Sequence, residues 1–351
     1  MSIRAIDLFC GAGGLTHGLQ RSGIDVVAGY DIESQCRYAF EKNNKAVFIQ
    51  KSVADLTKNE FNHYYGDAEI RILAGCAPCQ PFSAYNKKST EENQKDARWS
   101  LLTNFGLHIE SVLPEIVTME NVPRLAKQSV FNDFVEKLIS LNYDVTYKVI
   151  FCPDYGMPQS RSRLVLLASR LGPIKLIEPT HTSDNYVVVK DVIGHLPPVN
   201  AGTSHPNDRL HCASQMSELN LRRIRASKPG GTWHDWPKEL VAKCHMKKSG
   251  STYASVYGRM SWGKVGSTIT TQCIGFGNGR FGHPEQDRAI TLREAAILQT
   301  FPDHYEFWPS DIKMDKRPIA KMIGNAVPVR LGEVVGESII KHLNEAKKSA
   351  K

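Results

Sequence analysis

No stretch of this 351-residue sequence comes near the roughly 18 uninterrupted apolar residues of a membrane-spanning helix, so no membrane partner is expected. Cysteine is sparse: eight thiols are too few to staple a chain of this length, and reduced cysteines are the expectation. Internal repeats and low-complexity tracts are missing, which argues against a solenoid or a disordered arm. Met1-Ser2-Ile3-Arg4 runs straight into a strand-like segment, so no signal peptide is expected and a cytoplasmic protein is. With hydrophobic residues at 41% and charged residues at 23%, the remainder is ordinary globular composition.

What is present is an uneven positive charge. The net charge of +8 divides into 0 over residues 1–170, +6 over 171–290 and +2 over 291–351. Between 222 and 264 stand Arg222, Arg223, Arg225, Lys228, Lys238, Lys243, Lys247, Lys248, Arg259 and Lys264, opposed only by Asp235 and Glu239. Such a surplus attracts a polyanion, and the alternative is a merely solvated face.

Residues 1–170 alternate strand-like and helix-like segments. Apolar runs at Ile3–Phe9, Val26–Tyr30, Ile70–Gly75, Glu115–Met119, Tyr143–Ile150 and Leu164–Ser169 read as strands. Leu15 onward, Ser34–Asn43 and the spacing of Phe131, Phe134, Leu138 and Leu141 read as helices. This alternation predicts a doubly wound α/β sheet with ligands beyond the carboxyl ends of its strands. From 171 to 287 the chain turns rich in Gly, Pro, Ser, His and Trp, and a smaller, loop-rich domain is expected there. Over 288–351 helices return, at Thr291–Thr300 and Val329–Ala346.

Asp7-Leu8-Phe9-Cys10-Gly11-Ala12-Gly13-Gly14-Leu15 places three glycines between the first strand and the first helix. Such a turn lets the backbone approach a nucleoside cofactor near a helix N-terminus. Asp31, 20 positions after Gly11, ends the next strand, where a carboxylate binds ribose hydroxyls. A dinucleotide fingerprint would need glycine or alanine at position 16, where Thr16 stands. The turn alone does not name the cofactor.

Gly75-Cys76-Ala77-Pro78-Cys79-Gln80-Pro81-Phe82-Ser83 follows another strand, with prolines on both sides of Cys79 fixing where its thiol points. A loop cysteine at that sheet edge is a candidate nucleophile. Cys76 and Cys79 also form a C-x-x-C, but no second C-x-x-C exists to complete a zinc site, and no metal is expected. The strand running from Glu115 ends in Glu120-Asn121, and Gln159, Arg161 and Arg163 alternate so as to share one face of an extended segment. A thiol, a carboxylate, an amide and guanidiniums at neighbouring strand edges suit attack on a pyrimidine.

These motifs, in this order, resemble the DNA (cytosine-5) methyltransferase family of bacterial or phage type. The resemblance runs through DLFCGAGGL (7–15), Asp31, Asp55, GCAPCQPFS (75–83), DARWSLL (96–102), ENV (120–122), QSRSR (159–163), RAITLREAAILQTFPD (288–303) and GNAVP (324–328). It implies a Rossmann-like sheet that binds S-adenosylmethionine, with S-adenosylhomocysteine as product, and a target-recognition domain over 171–287. Cys79 would add to C6 of a flipped-out cytosine while Glu120 holds N3 and the exocyclic amine. Arg163 would orient the base, supported by Arg161, Gln159 and Asn121. Phe9, Gly11, Gly13, Gly14, Asp31, Ile32, Asp55, Leu56, Pro78 and Asn325 would surround the cofactor.

Double-stranded DNA is the implied partner of a monomeric, nucleoid-associated enzyme, and the sequence leaves open whether it is solitary, phage-borne or accompanied by a cognate restriction endonuclease acting separately. Arg222, Arg223, Arg225, Lys228 and Ser83 are the expected DNA contacts, with Trp233, Trp236, Tyr253, Tyr257 and Trp262 packing in a groove. The rival readings are a transfer-RNA cytosine methyltransferase, a catalytically silent DNA-binding regulator and, more distantly, a dehydrogenase.

Overall fold

The alternating apolar runs of the first half become six strands of one sheet, and Val47–Gln50, which the sequence alone does not mark, adds a seventh. In the computed structural model, which describes residues 2–78, 99–247, 250 and 252–349, these are β1 (Ile3–Leu8), β2 (Asp25–Asp31), β3 (Val47–Gln50), β4 (Ile70–Gly75), β5 (Ile116–Asn121), β6 (Asp144–Phe151) and β7 (Ser162–Ser169). Their spatial order is β3-β2-β1-β4-β5-β7-β6. The pairs from β3 to β5 are parallel, whereas β7 runs antiparallel to both β5 and β6. The sheet is thus mostly parallel with one reversed strand. That reversal needs no crossover helix, because an antiparallel neighbour can be reached by a direct connection.

The helices of this part are α1 (Gly14–Arg21), α2 (Cys36–Asn43), α3 (Lys58–Tyr65), α4 (Trp99–Val112) and α5 (Ser129–Ser140). Two of them, α3 and α4, have no counterpart in the periodicity of the sequence. The signal for α3 is nevertheless present: Thr57 and Glu60 form a reciprocal capping box at its start. All six residues of β5 are buried, as expected for a strand covered on both faces. Phe131, Phe134 and Leu138 of α5 join Phe105 of α4 and Val117 and Met119 of β5 in the core. The terminal helix Val329–Ser349 packs on α1, where a side chain at Gly18 would strike the Val329 carbonyl.

Among the described residues the chain divides into two compact units. The first comprises Met1–Phe151, Ser162–Thr180 and Ala326–Lys351 and carries the sheet. Cys152–Arg161 and His181–Asn325 form the second, so residues 288–325 cluster with the loop-rich segment rather than with the terminal helix. Regular structure is scarce in this unit: α6 (Glu218–Ala226), α7 (Leu292–Leu298) and α8 (Lys316–Asn325) accompany strands of two to five residues. Its core uses Trp233 and Trp236, packed with Met216, Ile224, Leu240 and Phe276. Two of the three tryptophans expected in a DNA groove, Trp233 and Trp236, are therefore interior. A unit with few helices and strands fills its centre with large aromatics.

Candidate active site

The glycine turn after β1 is held in left-handed backbone geometry. Gly11 has φ 51° and Gly13 φ 86°, and Phe9 also sits at φ 61°, uncommon for a residue with a side chain. A Cβ at Gly11 would meet nothing within 4 Å, so the space beside this turn is open. Gly13 forms the N-cap of α1, whose first amides lack intrahelical partners. The Gly11 amide donates to Asp31 Oδ2 at 2.8 Å and the Glu33 amide to Oδ1 at 2.9 Å. Burial pushes the Asp31 carboxyl above its ordinary range, opposed by those two donors. Next to it Ile32 is 66% exposed. Asp55 lies exposed in the single turn Val53–Asp55, Leu56 is nearly buried and Pro78 is exposed. Asn325, the last residue of α8 in the second unit, is exposed.

Asp7, at 1% exposure, stands at the head of the glycine motif, where the sequence alone singles out no role for it. Thr16 Oγ1 donates to its Oδ2 at 2.7 Å, while Oδ1 has no hydrogen-bond partner among the described residues. Burial pushes the Asp7 carboxyl up to about 7, against the Thr16 hydrogen bond. An aspartate inside an apolar run is the available signal.

At the ends of β4, β5 and β7 the polar residues converge. The parallel register pairs Gly75 with Met119, so Cys76 and Glu120 leave adjacent strands side by side. The Cys76 thiol donates to Glu120 Oε2 at 2.8 Å. Arg163 Nε stands 2.6 Å from Glu120 Oε1, an oxygen that accepts no aligned hydrogen bond among the described residues. Glu120 is 5% exposed. Asn121 donates to the Ala77 carbonyl at 3.1 Å and accepts from the Val122 amide at 2.9 Å, tying the base of the cysteine loop to β5. Cys79 and Ser83 lie outside the described residues.

Gln159 and Arg161 do not share a role with Arg163. Gln159 is fully buried: its amide donates to the Leu298 carbonyl and to Gln299 Oε1, both at 2.7 Å, and its Oε1 accepts from the Ile269 amide. Arg161 Nη1 donates to the Ile269 carbonyl at 3.0 Å. Both side chains brace the 266–269 segment of the second unit, whereas the Arg163 pair belongs to the first. Alternation along the chain suggests one face; the hydrogen bonds assign them to two purposes.

The basic cluster also divides. Arg222 and Lys228 are exposed. Arg225 pairs with Asp287 at 3.0 Å. Arg223 donates to the Leu240 carbonyl at 2.9 Å and lies over the rings of Trp236 and Tyr257 at 5.5 and 5.3 Å, which makes it a packing residue. Arg259 is buried, bonded to the Ile224 carbonyl and to Asp287. By contrast Lys238, Lys243, Lys247 and Lys264 are all exposed. No group of metal-ligating side chains occurs among the described residues.

Sequence reasoning gives Arg288 and Glu294 no role beyond their place in a matched motif. They form a bidentate pair, 2.7 Å on both arms, and Glu294 also accepts from the Thr291 amide at 2.7 Å. Burial raises the Glu294 carboxyl, but Arg288 outweighs it and the group falls below its ordinary range. Burial pushes nearby His283 down to about 4 despite that carboxylate, so its ring is neutral. Thr291 and Glu294, spaced as a capping box, are the local signal.

The family model of C-5 cytosine-specific DNA methylases matches residues 3–341. The chain is 53% identical over 341 residues to the type II methylase M.HgiDII of Herpetosiphon aurantiacus, covering 96% of this chain and 95% of that one. It is 30% identical to the type II methyltransferase M1.HphI of Haemophilus parahaemolyticus, covering 97% and 87%. Among solved structures, a prophage-encoded DNA modification methyltransferase of E. coli superposes with TM-score 0.74 at 21% identity, over 98% of this chain and all of that one. The Dnmt2 methyltransferase of S. pombe superposes with TM-score 0.62 at 17% identity, covering 97% and 99%. At those identities the two structures speak for the fold: a Rossmann-like methyltransferase sheet.

Proposed function

This chain belongs to the C-5 cytosine-specific DNA methylase family, and from that premise we propose that it methylates C5 of cytosine within a specific sequence of double-stranded DNA. The donor is S-adenosylmethionine, leaving as S-adenosylhomocysteine. The open space at Gly11, the oriented Asp31 carboxylate and the exposed Ile32 fit a nucleoside carrying an amino-acid tail. When bound, the cofactor supplies an electrophilic methyl group on a sulfonium. Phe9 and Ile32 would flank the adenine, Asp31 would accept from the ribose hydroxyls, and Asp55 would accept from the adenine amine, with Leu56 and Pro78 completing the pocket. The backbone of Gly11, Gly13 and Gly14 would follow the methionine.

The observation that carries the reading is the buried Glu120 carboxylate, held by Cys76 and Arg163 at neighbouring strand ends. The Cys79 thiolate forms a bond to C6, which makes C5 nucleophilic. Glu120 holds N3 and the exocyclic amine, favouring the electron-poor ring. Arg163 keeps Glu120 in place and balances the charge that develops. After methyl transfer, water takes the C5 proton, and the electron pair left behind re-forms the C5–C6 double bond and expels the Cys79 thiolate. This chemistry requires a base taken out of the stack. Asn121 fixes the start of the cysteine loop, and Gln159 and Arg161 brace the second unit, whose exposed lysines, with Arg222, meet phosphates. The type II relatives suggest a separate endonuclease with the same target.

The test is methyl transfer by the purified chain to duplex DNA and to RNA, with base-resolution mapping of the product. Duplex DNA containing 5-fluorocytosine should trap a covalent adduct with the wild type and none with Cys79→Ser. Methyl groups found only on RNA, or trapping by Cys79→Ser, would overturn the reading.

A further inference from the structure

We infer that Cys76 is a positioning residue for the reaction: its thiol orients the Glu120 carboxylate that receives the base. The inference rests on the proposed role of Glu120. β4 and β5 are parallel neighbours whose last registered pair is Gly75 and Met119. The next residue of each strand, Cys76 and Glu120, therefore emerges at the same level. The thiol meets Oε2 at 2.8 Å, and the Arg163 guanidinium faces Oε1 at 2.6 Å. A carboxylate on a flexible two-methylene stem is thus held at both oxygens, from two strands.

Each partner does something different. The guanidinium balances charge at Oε1 without an aligned hydrogen bond to it. The thiol is a weak, directional donor that removes one of the rotations the carboxylate would otherwise make. Pre-orientation of this kind lowers the cost of reaching the transition state without adding affinity for the cofactor. Cys76 is then more than the leading half of a C-x-x-C. A hydroxyl in its place could donate in the same direction, whereas a methyl group could not.

The experiment compares Cys76→Ala, Cys76→Ser and Glu120→Gln in the full chain under single-turnover conditions, with cofactor affinity and thermal melting measured beside each. Cys76→Ala should lower the methyl-transfer rate about tenfold, the effect of losing one hydrogen bond to a charged group. Its cofactor affinity and melting temperature should stay near wild type. Cys76→Ser should recover most of the rate. In the Glu120→Gln background the Cys76→Ala change should cost little more, because its target is already altered. The S–H stretching band assigned by difference against Cys76→Ala should move when Glu120 becomes Gln. Wild-type rates in Cys76→Ala, or a serine variant as slow as alanine, would overturn the inference while leaving the role of Glu120 standing. A Glu120→Gln enzyme with normal turnover would instead overturn the proposed role of Glu120.

Discussion

Each unit of this protein holds a buried arginine–glutamate pair, and the two pairs are built to opposite ends. In the second unit Arg288 grips both oxygens of Glu294 at 2.7 Å, with the Thr291 amide as a further donor and both side chains 1% exposed. That carboxylate is saturated. In the first unit Arg163 Nε stands 2.6 Å from Glu120 Oε1, which has no aligned hydrogen bond among the described residues, and a thiol occupies the other oxygen. A saturated buried pair can only brace; an under-coordinated one at a strand end can receive a ligand.

The surroundings explain the difference. The sheet of the first unit satisfies backbone groups by its own ladder, so polar side chains at the strand ends are available for chemistry. Arginines supplement the ladder in the first unit, as Arg71 does at the Val112 and Leu113 carbonyls, and they do so more widely in the second. Arg209 bonds the carbonyls of Pro309, Ser310 and Ile312, Arg259 that of Ile224, Arg280 that of Gly230, and Arg288 that of Val199. Planar guanidiniums with five donors suit this role, while Lys228, Lys238, Lys243, Lys247 and Lys264 stay in solvent.

Removing one partner of the saturated pair should have the largest effect on stability. Arg288→Met should lower the unfolding free energy by about 3–5 kcal/mol, because Glu294 would be left buried and unpaired. Urea denaturation measures this, and a loss under about 1 kcal/mol would mean that the pair is no brace. The reciprocal change in the first unit, Glu120→Gln, should cost little stability. It should instead reduce turnover by about 100-fold, roughly 2.7 kcal/mol in the barrier, at unchanged cofactor affinity. If cofactor binding falls in step with turnover, Glu120 belongs to the cofactor pocket.

A third test uses pH. The folded carboxyl of Asp7 stands at about 7 against an ordinary value of 3.8, so the folded state holds a proton that the unfolded state has released. Stability from this group is full below about pH 4 and is lost as pH rises through about 7. Asp7→Asn should flatten that decline by no more than a few kcal/mol; denaturation midpoints between about pH 5 and 8 that run parallel in the two proteins would sink the assignment.

The smallest effect concerns the basic surface. Neutralising Lys228, Lys238 and Lys243 should leave folding intact and lower the salt slope of DNA binding by about 0.9 for each phosphate that no longer meets a cation. Arg223→Ala should do the reverse, reducing stability by removing its packing on Trp236 and Tyr257 while barely moving that slope. A test that pooled Arg222, Arg223 and Arg225 would mix the two effects.

The local motifs were open to direct reading. Three glycines after an apolar strand, prolines around Cys79 and an acidic residue ending the next strand declare themselves within a few positions, because each answers a local constraint on φ, on loop stiffness or on a strand end. Strand positions were mostly legible for the same reason, since a buried strand is a short apolar run with defined ends; β3, a half-exposed edge strand of four residues, was not. Hidden was everything that depends on which strand lies beside which. The reversed β7 carries Arg163 to Glu120, the β4–β5 register carries Cys76 there, and neither spacing nor composition encodes that neighbourhood. Charge counting likewise could not tell Arg223 and Arg259 from Lys228 and Lys238, because a cation's use depends on whether a carbonyl or water stands opposite it. The sequence by itself determined which chemical groups the protein possesses and the local geometry that presents them. The tertiary structure decided which of those groups are saturated and which remain free to act, because saturation depends on partners brought from distant parts of the chain.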